Sequence, residues 1–301
     1  MRAGPGLPGP WNAMDNGFDR VPLPMKKRPR KDHRSKEKSE RRERPSHANA
    51  NDRAGHSNVR ENRRDARRGP RPSREVAVLY EDDALIVLNK PAGLLAVPIK
   101  GSAVPSALSL LIAELKPRRQ RALIVHRIDR FASGILLFAK TDRDRDTLIQ
   151  QFLAHTPVRK YLAVVRGRLK EESRTLVHYF RREGMYQQLR TARDPEAARA
   201  ELRYTVERVF ADATLVHVEL LTGLQNQIRA QFSALGHPLI GDRKYHRKEA
   251  EEQLIDRVAL HAAHLEFVHP RTGDTITIEC TPPPDFQNLV RQLARAGHPR
   301  R

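Results

Sequence analysis

The stretch His126-Arg127-Ile128-Asp129-Arg130-Phe131-Ala132-Ser133-Gly134 crowds acidic, basic and hydroxyl groups between two short apolar runs, residues 123–125 and 135–139. Continuously apolar runs of that length read as buried strands. The polar groups between them are then held rigidly at a sheet edge, where sites are often built. A carboxylate so placed could act as a nucleophile or a base, although an aspartate in a polar loop is ordinarily a turn residue. Tyr161 lies in an apolar strand pattern and could equally be core, and Arg229 in a helical pattern could equally be solvated. Helical spacing puts Leu224, Ile228, Phe232 and Leu235 on one core-facing stripe, with Asn226, Arg229 and Ser233 on a different face, available to a site. His261 and His264 share a strand and point to opposite faces, which argues against a metal site. Cys280 is the only cysteine, so an internal disulfide and a cysteine-built zinc site are excluded. No metal is expected.

The elements that must position these groups begin sharply at residue 75. Residues 76–80 and 85–88 form a hairpin around Glu81-Asp82-Asp83-Ala84, and Asn89-Lys90-Pro91-Ala92-Gly93 breaks its second strand. Residues 106–116 have a helical pattern. A helix over 142–155 starts after Thr141 as its cap, and residues 160–165 form a strand. Residues 202–210 and 214–221 make an antiparallel pair, and a helix over 225–235 is ended by Gly236. Residues 260–268 and 275–279 pair around Thr272-Gly273-Asp274, and a last helix covers 285–296. Strands dominate, helices are scattered and connections are mixed. The fold expected is α+β, a largely antiparallel mixed sheet with flanking helices, and not a doubly wound sheet.

Composition bounds the rest. The 301 residues carry a net charge of +20. Residues 1–74 hold 21 Lys and Arg against 9 Asp and Glu, or +12, with almost no apolar runs. Such a segment cannot offset its ordering entropy and is expected to be a disordered basic arm. The remaining 227 residues, 75–301, suffice for one catalytic domain with a sizeable core. No run is long enough to span a bilayer, and the N-terminus lacks the apolar segment of a secretory signal. The expected setting is the cytoplasm, and the charge points to a polyanion, nucleic acid before an acidic membrane surface.

His126-Arg127-Ile128-Asp129 is not a kinase catalytic loop: Ile128 separates Arg from Asp, no Gly-rich loop is present, and Asp285-Phe286-Gln287 lacks the glycine of the metal-binding motif. The nine residues from His126 to Gly134 instead resemble the H-R-L-D-x-x-T-S-G signature of the RluA-type pseudouridine synthases. Other blocks follow in that family's order: Leu79-Tyr80-Glu81-Asp82-Asp83 with Val87-Leu88-Asn89-Lys90-Pro91-Ala92-Gly93-Leu94, then Lys160-Tyr161-Leu162-Ala163-Val164-Val165-Arg166-Gly167. Thr222-Gly223-Leu224-Gln225-Asn226-Gln227-Ile228-Arg229 is similar to its T-G-R-x-H-Q-I-R block. Gly241-Asp242-Arg243-Lys244-Tyr245 and Leu260-His261-Ala262-Ala263-His264-Leu265-Glu266-Phe267 resemble its closing blocks. One block alone is weak, but six in order are strong.

The resemblance implies cofactor-free isomerisation of specific uridines in structured RNA, ribosomal or transfer: the base is detached at nitrogen, turned, and rejoined to the same ribose through carbon. It makes Asp129 the aspartate that starts the reaction, by attacking the anomeric carbon or by assisting base departure and sugar deprotonation. It makes Arg229 the cation that keeps Asp129 charged despite burial, and Tyr161 the pocket tyrosine that stacks on uracil and takes part in proton transfer. His126, Arg127, Arg130, Asn226 and Gln227 are expected at the substrate. Departures from the pattern are Leu224 for an arginine, Asn226 and Gln231 for histidines, and Ala132 for a threonine. They motivate one alternative, a non-catalytic RNA-binding protein retaining the fold. Arg118, Arg119 and Arg121 are expected on phosphates, and Arg181, Arg182, Arg190 and Arg193 in a second basic region between strands. RNA is the expected partner, with no membrane, and the chain is expected to be a monomer.

Overall fold

The apolar runs after residue 75 assemble into one eleven-stranded sheet in a computed structural model, which describes residues 76–296 apart from Met185 and 247–253. The expected arm at 1–74 lies outside the described residues. The elements run β1 (Ala77–Glu81), β2 (Leu85–Lys90), α1 (Ala107–Leu115), β3 (Leu123–Ile124), β4 (Ser133–Ala139), α2 (Asp142–Leu153), β5 (Val158–Arg166) and β6 (Ser173–Glu183). They continue through β7 (Tyr186–Arg190), β8 (Ala198–Val209), β9 (Ala213–Leu220), α3 (Gln227–Ala234), β10 (Leu260–Val268), β11 (Thr275–Glu279) and α4 (Pro284–Ala296). The sheet order is β1-β2-β4-β10-β5-β9-β8-β6-β7, with β3 paired to β4 and β11 to β10. Every pairing is antiparallel except β4 with β10. This is the α+β, largely antiparallel arrangement that the strand pattern implies.

The local chemistry of each junction is visible. Asp82 Oδ1 accepts from the backbone N–H groups of Ala84 and Leu85 and so closes the β1–β2 turn. Ser106 and Ser109 cap α1 reciprocally, and Thr141 caps α2. Strands β2 and β4 are buried on both faces, which explains their continuous apolar runs. Leu85, Val87, Ile135 and Leu137 face one core together with Phe152 of α2 and Ile228 and Phe232 of α3. Ile86, Leu88, Leu136 and Phe138 face a second core under α1. Helix α4 covers the same side further along, setting Phe286, Leu289 and Leu293 against Val164 and Leu215. No helix among the described residues is long and apolar enough to cross a membrane.

Two sequence expectations need correction. Helix α3 starts at Gln227, because Asn226 sits at a left-handed φ of 55°, a conformation asparagine tolerates. Gln227, Ile228, Arg229, Ala230, Gln231 and Phe232 are all buried, so the helix has no solvated face, and Leu224 lies outside it. The basic region at 181–193 lies mostly on strands rather than between them. Arg181 and Arg182 lie on β6 and Arg190 on β7, in one hairpin. Arg181 pairs with Glu183, Asp194 and Glu196, and Arg190 with Glu183 and Asp194.

Candidate active site

Strands β4 and β10 touch for only two residue pairs, Ser133 with His261 and Ala262 with Gly134, before β10 turns to β11. Gly134 makes that contact possible. Its φ is +109°, and a Cβ there would lie 2.1 Å from the Ala262 carbonyl oxygen, so any side chain would force the strands apart. The loop from Val125 to Ala132 enters this junction.

The loop is anchored from below. Val125, Ile128 and Ala132 are in the core. Lys90 is fully buried, and its Nζ donates to the carbonyls of Pro91, Leu94, Arg130 and Ala132 at 2.7–3.0 Å. Burial pulls the Lys90 pKa down to about 7, with Asp129 pulling the other way, and the four carbonyl oxygens favour the ammonium form. Gly93 N–H donates to the Arg130 carbonyl at 2.8 Å, and Arg130 Nε donates to the Gly93 carbonyl at 2.9 Å. Asp129 therefore stands between two pinned residues, with its side chain 20% exposed.

Arg229 reaches Asp129 from α3, Nη1 donating to Oδ2 at 3.3 Å. Its principal partner is Asp242, gripped by Nε at 2.8 Å and Nη2 at 2.7 Å, a bidentate fork. Asp242 Oδ1 also accepts from the backbone N–H of Lys244 and Tyr245, and its side chain is wholly buried. Asn226 Oδ1 accepts from Arg229 Nη1 at 2.8 Å. Burial works against the guanidinium charge, but Asp242, and after it Asp129, raise its pKa above the ordinary arginine value. Gly241, at φ +74°, lets this turn pass the Arg257 carbonyl, which a Cβ would meet at 2.0 Å.

Tyr161 faces the same core from the middle of β5, opposite Ala262 of β10 and Val218 of β9. Burial, seconded by the Asp129 charge, pushes its hydroxyl up to about 12, while Arg159 opposes the shift. It is a neutral phenol at any physiological pH.

The structure thus brings together Asp129, Arg229 and Asn226, with Tyr161 close enough to feel the Asp129 charge. It places others elsewhere. His126 is buried behind the loop, where its Nε2 accepts from Leu137 N–H and its ring stacks on Phe152 at 4.8 Å. Burial lowers its pKa to about 3. Gln227 is buried, with its amide committed to Thr222, Leu224, Glu201 and Gln231. Gln231 continues the chain to the carbonyls of Leu176 and Ala200, so this departure from the histidine pattern fastens α3 to the sheet. Leu224 packs with the apolar cluster of Phe180, Ala200 and Ala230. Arg127 is exposed, and Arg130 is exposed though tethered to Gly93. Arg118 and Arg121 pair with Glu81 and Asp142, while Arg119 is exposed at a left-handed turn. His261 is locked between Ser133 and the Cys280 carbonyl, and His264 pairs with Glu279. Lys90 and Asp242 went unassigned in the sequence. Their signal is chemical: a lysine at the end of an apolar run and an aspartate after a glycine turn both need a partner once buried.

Residues 84–234, half of the chain, match the RNA pseudouridylate synthase family. The chain is 33% identical over 242 residues to ribosomal large subunit pseudouridine synthase D of Zymomonas mobilis, spanning 74% of this chain and 76% of that one. It is 34% identical over 228 residues to the uncharacterized RNA pseudouridine synthase YlyB of Bacillus subtilis, spanning 74% of each. Ribosomal large subunit pseudouridine synthase C of Escherichia coli is 33% identical over 226 residues, 73% of this chain and 70% of that one. The same fold occurs in human RNA pseudouridylate synthase domain containing 4, with a TM-score of 0.61 and 20% identity over 72% of this chain and 93% of that one. The chain belongs to the RluA-type RNA pseudouridine synthase family. It is an enzyme that isomerises uridine to pseudouridine in RNA.

Proposed function

We propose that this enzyme modifies large-subunit ribosomal RNA and that Asp129, Tyr161 and Arg229 carry the reaction. The observation behind the residue assignment is the Asp129 carboxylate. It is held by a loop pinned through Lys90 and touched on Oδ2 by Arg229, while Oδ1 accepts no hydrogen bond from the described residues. A carboxylate fixed in place, charge-supported on one oxygen and open on the other, is prepared to act on a ribose at the moment the base departs. Arg229, aimed by Asp242, offsets the desolvation that a bound nucleotide would impose on Asp129. Tyr161 offers its ring to the detached uracil and its phenol as a proton donor, since the group does not ionise near neutral pH. No step requires a metal or organic cofactor. A uridine inside a stem must be flipped into this pocket at a cost of a few kcal/mol, and Arg127 and Arg130, exposed on either side of Asp129, would hold phosphates that offset it.

Ribosomal RNA is favoured over transfer RNA by the names of the relatives that the chain matches over most of their length. The enzyme would then act in the cytoplasm, as a monomer. Pseudouridine mapping across all RNAs of the host, with and without the gene, tests the substrate. Loss of a large-subunit site on deletion, restored by the wild-type gene, supports the proposal. Loss of a transfer-RNA site instead, or of none, overturns it.

A further inference from the structure

Tyr186 opens β7 and is 41% exposed, yet it is joined to the site by a short relay of contacts. Its ring meets Tyr245 edge to face, with centroids 6.1 Å apart at 77°. Lys244 Nζ lies 4.8 Å from the Tyr186 centroid and 5.5 Å from that of Tyr245. Tyr245 covers Arg229, whose Cζ is 5.5 Å from its ring centre, and Arg229 reaches Asp129. The Tyr245 hydroxyl accepts from Gln187 N–H at 3.0 Å. The β6–β7 hairpin is therefore fastened to the turn that aims Arg229, and its exposed ring sits at the rim of the Asp129 site.

The charges on this hairpin are divided. Arg181 and Arg190 are neutralised by Glu183, Asp194 and Glu196. Arg182 is exposed. Its Nε donates to the Gly184 carbonyl at 3.1 Å, and no carboxylate among the described residues pairs with it. Arg182 stands opposite Gln187 and points away from the face that Glu183 and Tyr186 share, so what this rim offers an unpaired base is the exposed ring of Tyr186.

We propose that Tyr186 is a stacking platform for a nucleobase flanking the target uridine. The role rests on the RNA-modifying reading above and adds to it a contact outside the uridine pocket. The platform sets how tightly, and in what sequence context, the RNA is held. It leaves the chemistry at Asp129 untouched.

The test uses the full chain and an RNA oligonucleotide centred on the mapped uridine, with 2-aminopurine at each neighbouring position in turn. Wild type, Tyr186→Phe and Tyr186→Trp should quench the fluorophore at one flanking position. Tyr186→Leu, which keeps apolar bulk and the Gln187–Tyr245 tie, should not. Stacking contributions per base correspond to an affinity loss of about five- to a hundredfold, read as a higher KM at nearly constant kcat. An unchanged KM in Tyr186→Leu overturns the platform. So does a Tyr186→Phe variant as defective as Tyr186→Leu, which would assign the role to the hydroxyl. A wild-type enzyme that makes no pseudouridine in ribosomal or transfer RNA would instead overturn the underlying reading, and the platform with it.

Discussion

Replacing Asp242 by asparagine removes one charge from a pair that the fold has buried almost completely. The carboxylate accepts from Arg229 Nε at 2.8 Å on one oxygen, and from Arg229 Nη2 at 2.7 Å and two backbone N–H groups on the other. An amide has a single acceptor oxygen. If that oxygen keeps the backbone donors and Nη2, the amide NH2 faces the Arg229 Nε–H, donor against donor. Arg229, with a side chain only 9% exposed, then loses its Nε acceptor, and its one remaining charged partner among the described residues is Asp129 at 3.3 Å. Removing one partner of a buried pair costs about 3–5 kcal/mol. For a domain of this size each kcal/mol moves the midpoint by about 2–4 °C, so Asp242→Asn should melt roughly 6–20 °C lower. The released guanidinium closes on Asp129, and a misplacement of that order should lower kcat by ~10²-fold. Asp129→Asn keeps an acceptor for Arg229 Nη1 and leaves the Asp242 fork in place, so it should cost less than Asp242→Asn. Thermal unfolding by circular dichroism, with single-turnover pseudouridine formation measured well below each midpoint, separates the two variants. An Asp242→Asn enzyme with the wild-type midpoint and rate would refute the claim that Asp242 aims Arg229.

Other outcomes follow from the same geometry. Lys90→Met leaves at least two buried carbonyls, Leu94 and Ala132, without a donor. It should cost about 2–6 kcal/mol in urea unfolding and lower kcat by loosening the Asp129 loop. Because the Tyr161 hydroxyl is pushed up to about 12, Tyr161→Phe should lower kcat by ~10²-fold or more, and its residual activity should keep both limbs of the wild-type pH–rate profile. A wild-type basic limb near pH 9–10 that vanishes in Tyr161→Phe would contradict this. His126 is held at about 3 in the fold against 6.5 when unfolded. The unfolded chain then binds one more proton between these values, and stability should fall by ~1.4 kcal/mol per unit as pH drops through that window. His126→Phe, which keeps the stack on Phe152, should remove that slope in unfolding titrations at stepped pH.

The architecture was legible wherever a strand or helix carried its own signal. The apolar runs of β2 and β4, the antiparallel pair of β8 and β9, and the Thr141 cap of α2 all appear in the structure at or near their expected bounds. Helix α3 was misread because amphipathic spacing assumes a solvated face. This helix is inserted into the sheet and neutralises its polar side with paired groups: Gln227 with Gln231, and Arg229 with Asp242. Long-range partners of this kind leave no periodic trace. The same blindness applies to Lys90, whose four acceptors come from two chain segments some forty residues apart, and to Leu224, read as a lost charge but packed among apolar side chains. Short motif spacing picked out Asp129 as the candidate. Only the fold could show that His126, three residues before it, turns into the core.

The central claim is that the Asp129 carboxylate performs the reaction on a scaffold that does not need it for stability. Purified Asp129→Asn enzyme, mixed in excess with RNA containing the mapped uridine, tests this directly when pseudouridine is counted over time alongside RNA affinity and melting temperature. The account predicts no detectable pseudouridine, with affinity and midpoint close to wild type. Near wild-type formation of pseudouridine by that variant would contradict it.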